Sequence, residues 1–196
     1  MKPEGSHFSP TWNSALKTIL VYAGMALLFT LLGILLGPPG ALIGGTRPVN
    51  TIPTHLGELA GFGLLLGLGI FAIFGKKGLP LVFLTPALTV LLDIDHLPIY
   101  LGIAEPVRPA HSLVFIIAAL AASAIIVKAL NVELVVASAF MGHLAVDTGI
   151  FPPFSPLNLE YIPLDTYKLP LAAGAILTAF IAGVILRRQS RRADHG

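Results

Sequence analysis

His55, the run Asp93-Ile94-Asp95-His96, His111 with Ser112, and His143 with Asp147 bring together four of the six histidines and three carboxylates in a chain that is otherwise very apolar. Imidazole and carboxylate are ordinary ligands of zinc and similar divalent ions. Ionisable groups are costly in or beside a bilayer, so several at one depth mark a functional site. His143 and Asp147 stand four residues apart on a predicted helix, which sets both side chains on one face, one turn apart. Asp93, Asp95 and His96 crowd three ionisable groups into four residues ahead of Leu97-Pro98, so they cannot all point one way. Some of them serve as ligands and others orient ligands or a water molecule. There are no cysteines, which excludes thiolate ligands, disulfides and a cysteine nucleophile.

The elements that position these residues are membrane helices. Of the 196 residues, 55% are hydrophobic and 11% charged, against about 25% charged in an ordinary soluble domain; mean hydropathy is +0.86. Apolar runs at 16–36, 56–75, 79–92, 111–130, 132–147 and 169–186 predict an all-α, polytopic bundle of about six transmembrane helices. The third and fifth runs are short, so their polar ends are expected to sit below the membrane surface. The first run is too long for a signal-peptide core and is expected to remain as an anchor. No repeat is visible, and 1–196 reads as one integral membrane domain, with a polar segment at 1–15 and a basic tail at 187–196.

With six spans, Lys2, Lys17, Lys76, Lys77, Lys128, Arg187, Arg188, Arg191 and Arg192 fall on the side of the termini, and Arg47, Arg108 and Lys168 on the other. The positive-inside rule then predicts an inner-membrane protein with cytoplasmic termini. The candidate ligands fall on the outer face although they played no part in choosing it. Because the basic residues are accounted for by topology, the net charge of +2 implies no nucleic-acid partner.

The remaining polar residues divide by position. Arg108 is a candidate for phosphate binding or an anchor at the membrane edge. Ser112 is a candidate helix cap, or a substrate contact. Thr54 is a candidate cap for the second helix, with Glu58 one turn deeper than His55 as a supporting carboxylate or general base. Glu105, Glu160, Asp165, His7 and His195 read as loop or tail residues. In the second run, Gly57 with Gly61 and Gly63 with Gly67 have the small-residue spacing that permits close helix packing.

Asp93-Ile94-Asp95-His96, then His111-Ser112-Leu113 after a short loop bearing Arg108, then Gly142-His143-Leu144-Ala145-Val146-Asp147 with Phe154-Ser155-Pro156, resemble the YdjM family of membrane-bound metal-dependent hydrolases. The likeness covers roughly 55–156, and the histidine of that family's early helix matches His55. The same order of residues is similar to the core of the zinc-dependent phospholipase C and nuclease group. That likeness implies that His111, His143 and Asp147 hold zinc, that Asp93 or Asp95 is a ligand or the base for water, and that His55 completes the cluster. His96 joins the ligand set. The group's later His-x-x-x-Glu has no counterpart, since the sixth run carries neither residue; one or two ions are therefore expected.

The expected function is a phosphoesterase that turns metal-activated water on a small-molecule or lipid phosphate at the outer face of the membrane. The rival readings are a transporter and a non-catalytic protein stabilised by a metal. Transporters place their sites near the midplane between repeated halves, whereas these polar groups gather at one end.

Overall fold

A computed structural model describes residues 11–36, 52–100, 108–127, 130–147, 150–157 and 160–194. The first helix, α1, runs Trp12–Leu36. A reciprocal cap starts it: Ser14 N donates to Thr11 Oγ1 at 3.0 Å and Thr11 N to Ser14 Oγ at 2.9 Å, which satisfies donors that an open helix end leaves unpaired. It is followed by α2 (Ile52–Phe74), α3 (Leu79–Leu91), the short α4 (Leu97–Tyr100), α5 (Leu113–Ile126), α6 (Leu130–Val146) and α7 (Lys168–Asp194). The molecule is thus an all-α helical bundle. Among the described residues its one departure is a pair of two-residue strands, β1 (Ile150–Phe151) and β2 (Ile162–Pro163), antiparallel between α6 and α7.

Among the described residues, four segments are long and apolar enough to cross a membrane: Trp12–Leu36, His55–Phe74, Lys76–His96 and Lys168–Arg191. Leu113–Ile126 and Val132–Val146 are apolar but shorter. The third run therefore proves longer than expected, because 3-10 turns at Lys76–Gly78 and Leu92–His96 extend α3 at both ends. The fifth run is short as expected, and the fourth joins it in place of the third. Ser112, in extended conformation, holds the start of α5 at Leu113, so His111 lies outside that helix.

The chain passes up and down, which gathers the ends of α3 and α6 and the starts of α2, α5 and α7 at one end of the bundle. Lys168 pairs with Asp165 at 2.9 Å at this end; Lys77 Nζ reaches Ser190 Oγ at 2.7 Å at the other. In the core between the helices, Tyr22 and Phe29 of α1 both meet Phe115 of α5 edge to face, with ring centroids 5.2 and 5.5 Å apart. Leu20, Leu27, Leu31 and Leu35 of α1 point outward, a surface suited to lipid.

The pairing of α2 with α3 depends on Gly63 and Gly67. A Cβ at Gly63 would fall 2.6 Å from Pro86 Cα and also onto Thr89 Oγ1; one at Gly67 would fall 2.8 Å from Val82 Cα. At Gly57 and Gly61 a Cβ would meet open space, so of the two spacings in the sequence only Gly63 with Gly67 marks a helix contact. Gly63→Ala is expected to destabilise the protein by about 1–3 kcal/mol, the usual range for overpacking, and Gly61→Ala to have no such effect. Thermal unfolding in detergent checks both. Equal midpoints for the two variants would remove the close contact.

Candidate metal centre

Four segments deliver between one and three polar groups each to a single buried cluster. His55 projects from the first turns of α2. Asp93, Asp95 and His96 come from the 3-10 turn after α3, Arg108 and His111 from the segment leading into α5, and His143 and Asp147 from the last turn of α6. A 3-10 turn advances three residues per turn, so Asp93 and His96 share a side and Asp95 points elsewhere. His143 and Asp147 keep helical register, since Asp147 N still bonds to His143 O at 2.9 Å.

Asp93 Oδ1 is buried without a hydrogen-bond partner, yet three imidazole nitrogens surround it. His96 Nε2 lies at 3.3 Å, His111 Nε2 at 3.6 Å and His143 Nε2 at 3.6 Å. Asp147 Oδ2 is 3.7 Å from His111 Nε2. Ligand atoms about 2.0–2.1 Å from a tetrahedral zinc ion are separated by about 3.3 Å, which is the scale of these separations.

The outer nitrogens of two rings decide what the inner ones can do. His143 Nδ1 lies 2.5 Å from the Thr89 carbonyl, which can only accept, so that nitrogen carries the proton. His111 Nδ1 lies 2.9 Å from Asp95 Oδ2, which also receives Ala110 N at 3.2 Å. Both neutral rings then turn an unprotonated Nε2 inward, and these atoms are 2.8 Å apart. Two facing lone pairs at that distance repel unless a proton or metal ion lies beside them; Arg108 Nη2, 2.7 Å from His111 Nε2, directs one N–H at the pair.

Charge leads to the same need. His111, His143, Asp95 and Asp147 are fully buried, and His96 and Arg108 nearly so. With neutral rings, three carboxylates face one guanidinium, a formal excess of two negative charges out of water. Buried charge is tolerated only when compensated. A divalent cation, or protons on two imidazoles, would balance it. The buried Asp and His residues can hold a metal ion, in two overlapping sets: Asp93, Asp95, His96 and His111, and His111, His143 and Asp147. His111 belongs to both.

Arg108 lies deeper in the cluster than its loop position in the sequence suggests. Its Nη2 contacts Asp147 Oδ2 and lies 2.7 Å from His111 Nε2 and 3.5 Å from His96 Nε2. Its backbone is left-handed, with φ of 29°, which costs a residue with a side chain roughly 1–2 kcal/mol. His55 closes the cluster on the more open side: its Nε2 is 3.4 Å from Asp93 Oδ2 and 3.8 Å from Asp147 Oδ1, and its side chain is 21% exposed.

Other candidates are placed differently. Ser112 caps α5, accepting from Phe115 N at 3.0 Å and donating to Pro109 O at 2.8 Å, so its hydroxyl is engaged on both counts. Glu58 is exposed on α2, turned away from the cluster, and Thr54 stands inside α2, which begins at Ile52. Glu160 and Asp165 are exposed. His7, Arg47, Glu105 and His195 lie outside the described residues. The Thr89 carbonyl carried no signal in the sequence, because the group it offers is common to every residue. It is available because the change of pitch after Leu91 releases carbonyls of the last α-helical turn.

Comparison with protein-family models, with curated proteins and with solved structures finds no match to this chain.

Proposed function

We propose that the protein is a membrane-embedded, zinc-dependent hydrolase of phosphate esters, akin to the YdjM family. The observation that carries this reading is the pair of inward Nε2 atoms of His111 and His143, each held in its tautomer from outside and both beside the carboxylates of Asp93 and Asp147. Such outer partners fix the orientation of a metal-binding imidazole and raise its basicity. Nε2 of His96, His111 and His143 with Asp147 would hold one or two ions, with Asp93 beside them as the base. A bound divalent ion supplies a Lewis acid for the phosphoryl oxygens and lowers the pKa of water to about 7.

The chain's own groups supply the rest. Arg108 sets a guanidinium among the ligands, where it can pair with a phosphoryl oxygen in place of Asp147. Asp93 takes a proton from the attacking water as the new P–O bond forms. His55, the member nearest solvent, gives a proton to the leaving oxygen as the old P–O bond breaks. Asp95 acts through His111, which it orients. Anomalous scattering at the zinc edge, together with turnover of phosphomonoesters and phosphodiesters including lipids, tests this reading. An absence of metal-dependent turnover across that panel would leave a metal-stabilised binding protein in its place.

The proposed setting is the inner membrane, with cytoplasmic termini and the cluster near the outer face. The chain has no cysteine, so single-cysteine labelling is clean. A cysteine at the exposed Asp165 is expected to react with an impermeant reagent from outside, and one at Lys77 only after permeabilisation. The reverse pattern would invert the topology.

A further inference from the structure

A cavity of about 510 Å³ lies between α5, α6, the start of α7 and the β1–β2 pair. Leu113, Ile116, Phe140, Leu144, Leu164 and Leu171 are among its walls, and Tyr167 is the one wall residue with a polar side chain. It sits at the same end of the bundle as the metal-binding cluster. On α6, Phe140, Leu144 and Asp147 follow at i, i+4 and i+7, which keeps them within about 60° on one stripe. The next position on the hydrocarbon-lined stripe is therefore a carboxylate of the cluster. On α5 the wall begins at Leu113, two residues after His111. Bulk lipid would meet an outward apolar surface anywhere on the bundle; this cavity lies against the segments that carry His111, His143 and Asp147, through Leu113 on α5 and Leu144 on α6.

From this juxtaposition we infer that the cavity holds the hydrocarbon chain of an amphiphilic phosphate whose headgroup lies at the Asp/His/Arg108 cluster. The inference rests on the phosphate-ester reading of that cluster and narrows the substrate to a single-chain or lipid phosphate. The two ends match by charge and polarity: Arg108 and a bound cation suit the phosphate, and the leucine and phenylalanine walls suit the chain. Entry would be lateral, since residues on the outer sides of α5 and α7, such as Ile117 and Leu169, are exposed and apolar.

The test uses the full chain, loaded with zinc in detergent, and a hexadecyl phosphate carrying a diazirine near the end of its chain. After illumination, mass spectrometry should find label on α5 and α6 wall residues at roughly tenfold or more the level on the outward leucines of α1. Hexadecanol with the same diazirine should show no such preference. Ala137→Phe, which fills the cavity from α6, should abolish the preference while bound zinc stays at the wild-type level. Equal labelling of α1 and the cavity, or the same pattern from the alcohol, would overturn the inference and leave ordinary solvation by lipid. Labelling needs no turnover, so headgroup-dependent labelling without any hydrolysis would remove the hydrolase reading and retain the amphiphile site.

Discussion

Loss of His111 is expected to strip the protein of metal more completely than any other single change. His111 offers Nε2 to both candidate ligand sets and ties Asp95 to the cluster through Nδ1. Removing a partner that only orients a ligand lowers metal affinity by about 10- to 100-fold, and His111→Ala removes a ligand as well. It also removes the imidazole that hydrogen-bonds the fully buried Asp95 carboxylate, a loss that typically costs about 1–3 kcal/mol. Bound zinc per folded molecule, read by elemental analysis after gel filtration, should fall beyond the 100-fold mark. The His143→Ala, Asp147→Ala double variant should do the same by removing the α6 side of the cluster. Asp95→Asn keeps a group beside His111 but loses the charge, and its metal affinity should fall within the smaller range. Wild-type zinc content in the double variant would sink the assignment.

Asp93→Asn is expected to reduce turnover by about 10²–10⁴-fold, the range for removal of a general base. An amide keeps the shape of the side chain and loses both the charge and the basicity. Asp93 is the carboxylate to choose because Oδ1 faces three imidazole nitrogens and Oδ2 faces His55, whereas Asp95 Oδ2 is occupied by His111 and Ala110 N. His55→Ala should slow substrates with poor leaving groups more than activated nitrophenyl esters, because the latter need no proton on departure. Glu160→Ala, at an exposed position outside the cluster, should behave as wild type. Equal slowing of both ester types in His55→Ala would take the acid role from His55. Unchanged turnover in Asp93→Asn would do the same for the base.

The helical class follows from composition, since long apolar runs in lipid must satisfy their backbone groups within helices; of the six runs, four form segments long enough to cross a membrane. The types and order of the candidate ligands were legible for the same reason: in a chain this apolar, each buried ionisable residue stands out, and the four-residue spacing of His143 and Asp147 survives as real helical register. What the sequence left open was which atom meets which. Asp93 and Asp95 are equivalent as letters, and a 3-10 turn, whose pitch no local pattern specifies, sends one toward the imidazole Nε2 atoms and the other behind His111. Arg108 read equally as a membrane-edge anchor, and a left-handed backbone turns its guanidinium into the cluster. Glu58 shares a helix with His55, but the rotation of α2 against α3, set by Gly63 and Gly67, leaves it outside. The sequence by itself determined a membrane bundle with His and Asp gathered at one end, because burial cost and backbone hydrogen bonding act residue by residue. Only tertiary structure decided the inward Nε2 pair, the part of Arg108 and the cavity beside Asp147, because these depend on helix rotation and turn pitch, which are set by contacts between segments far apart in the chain.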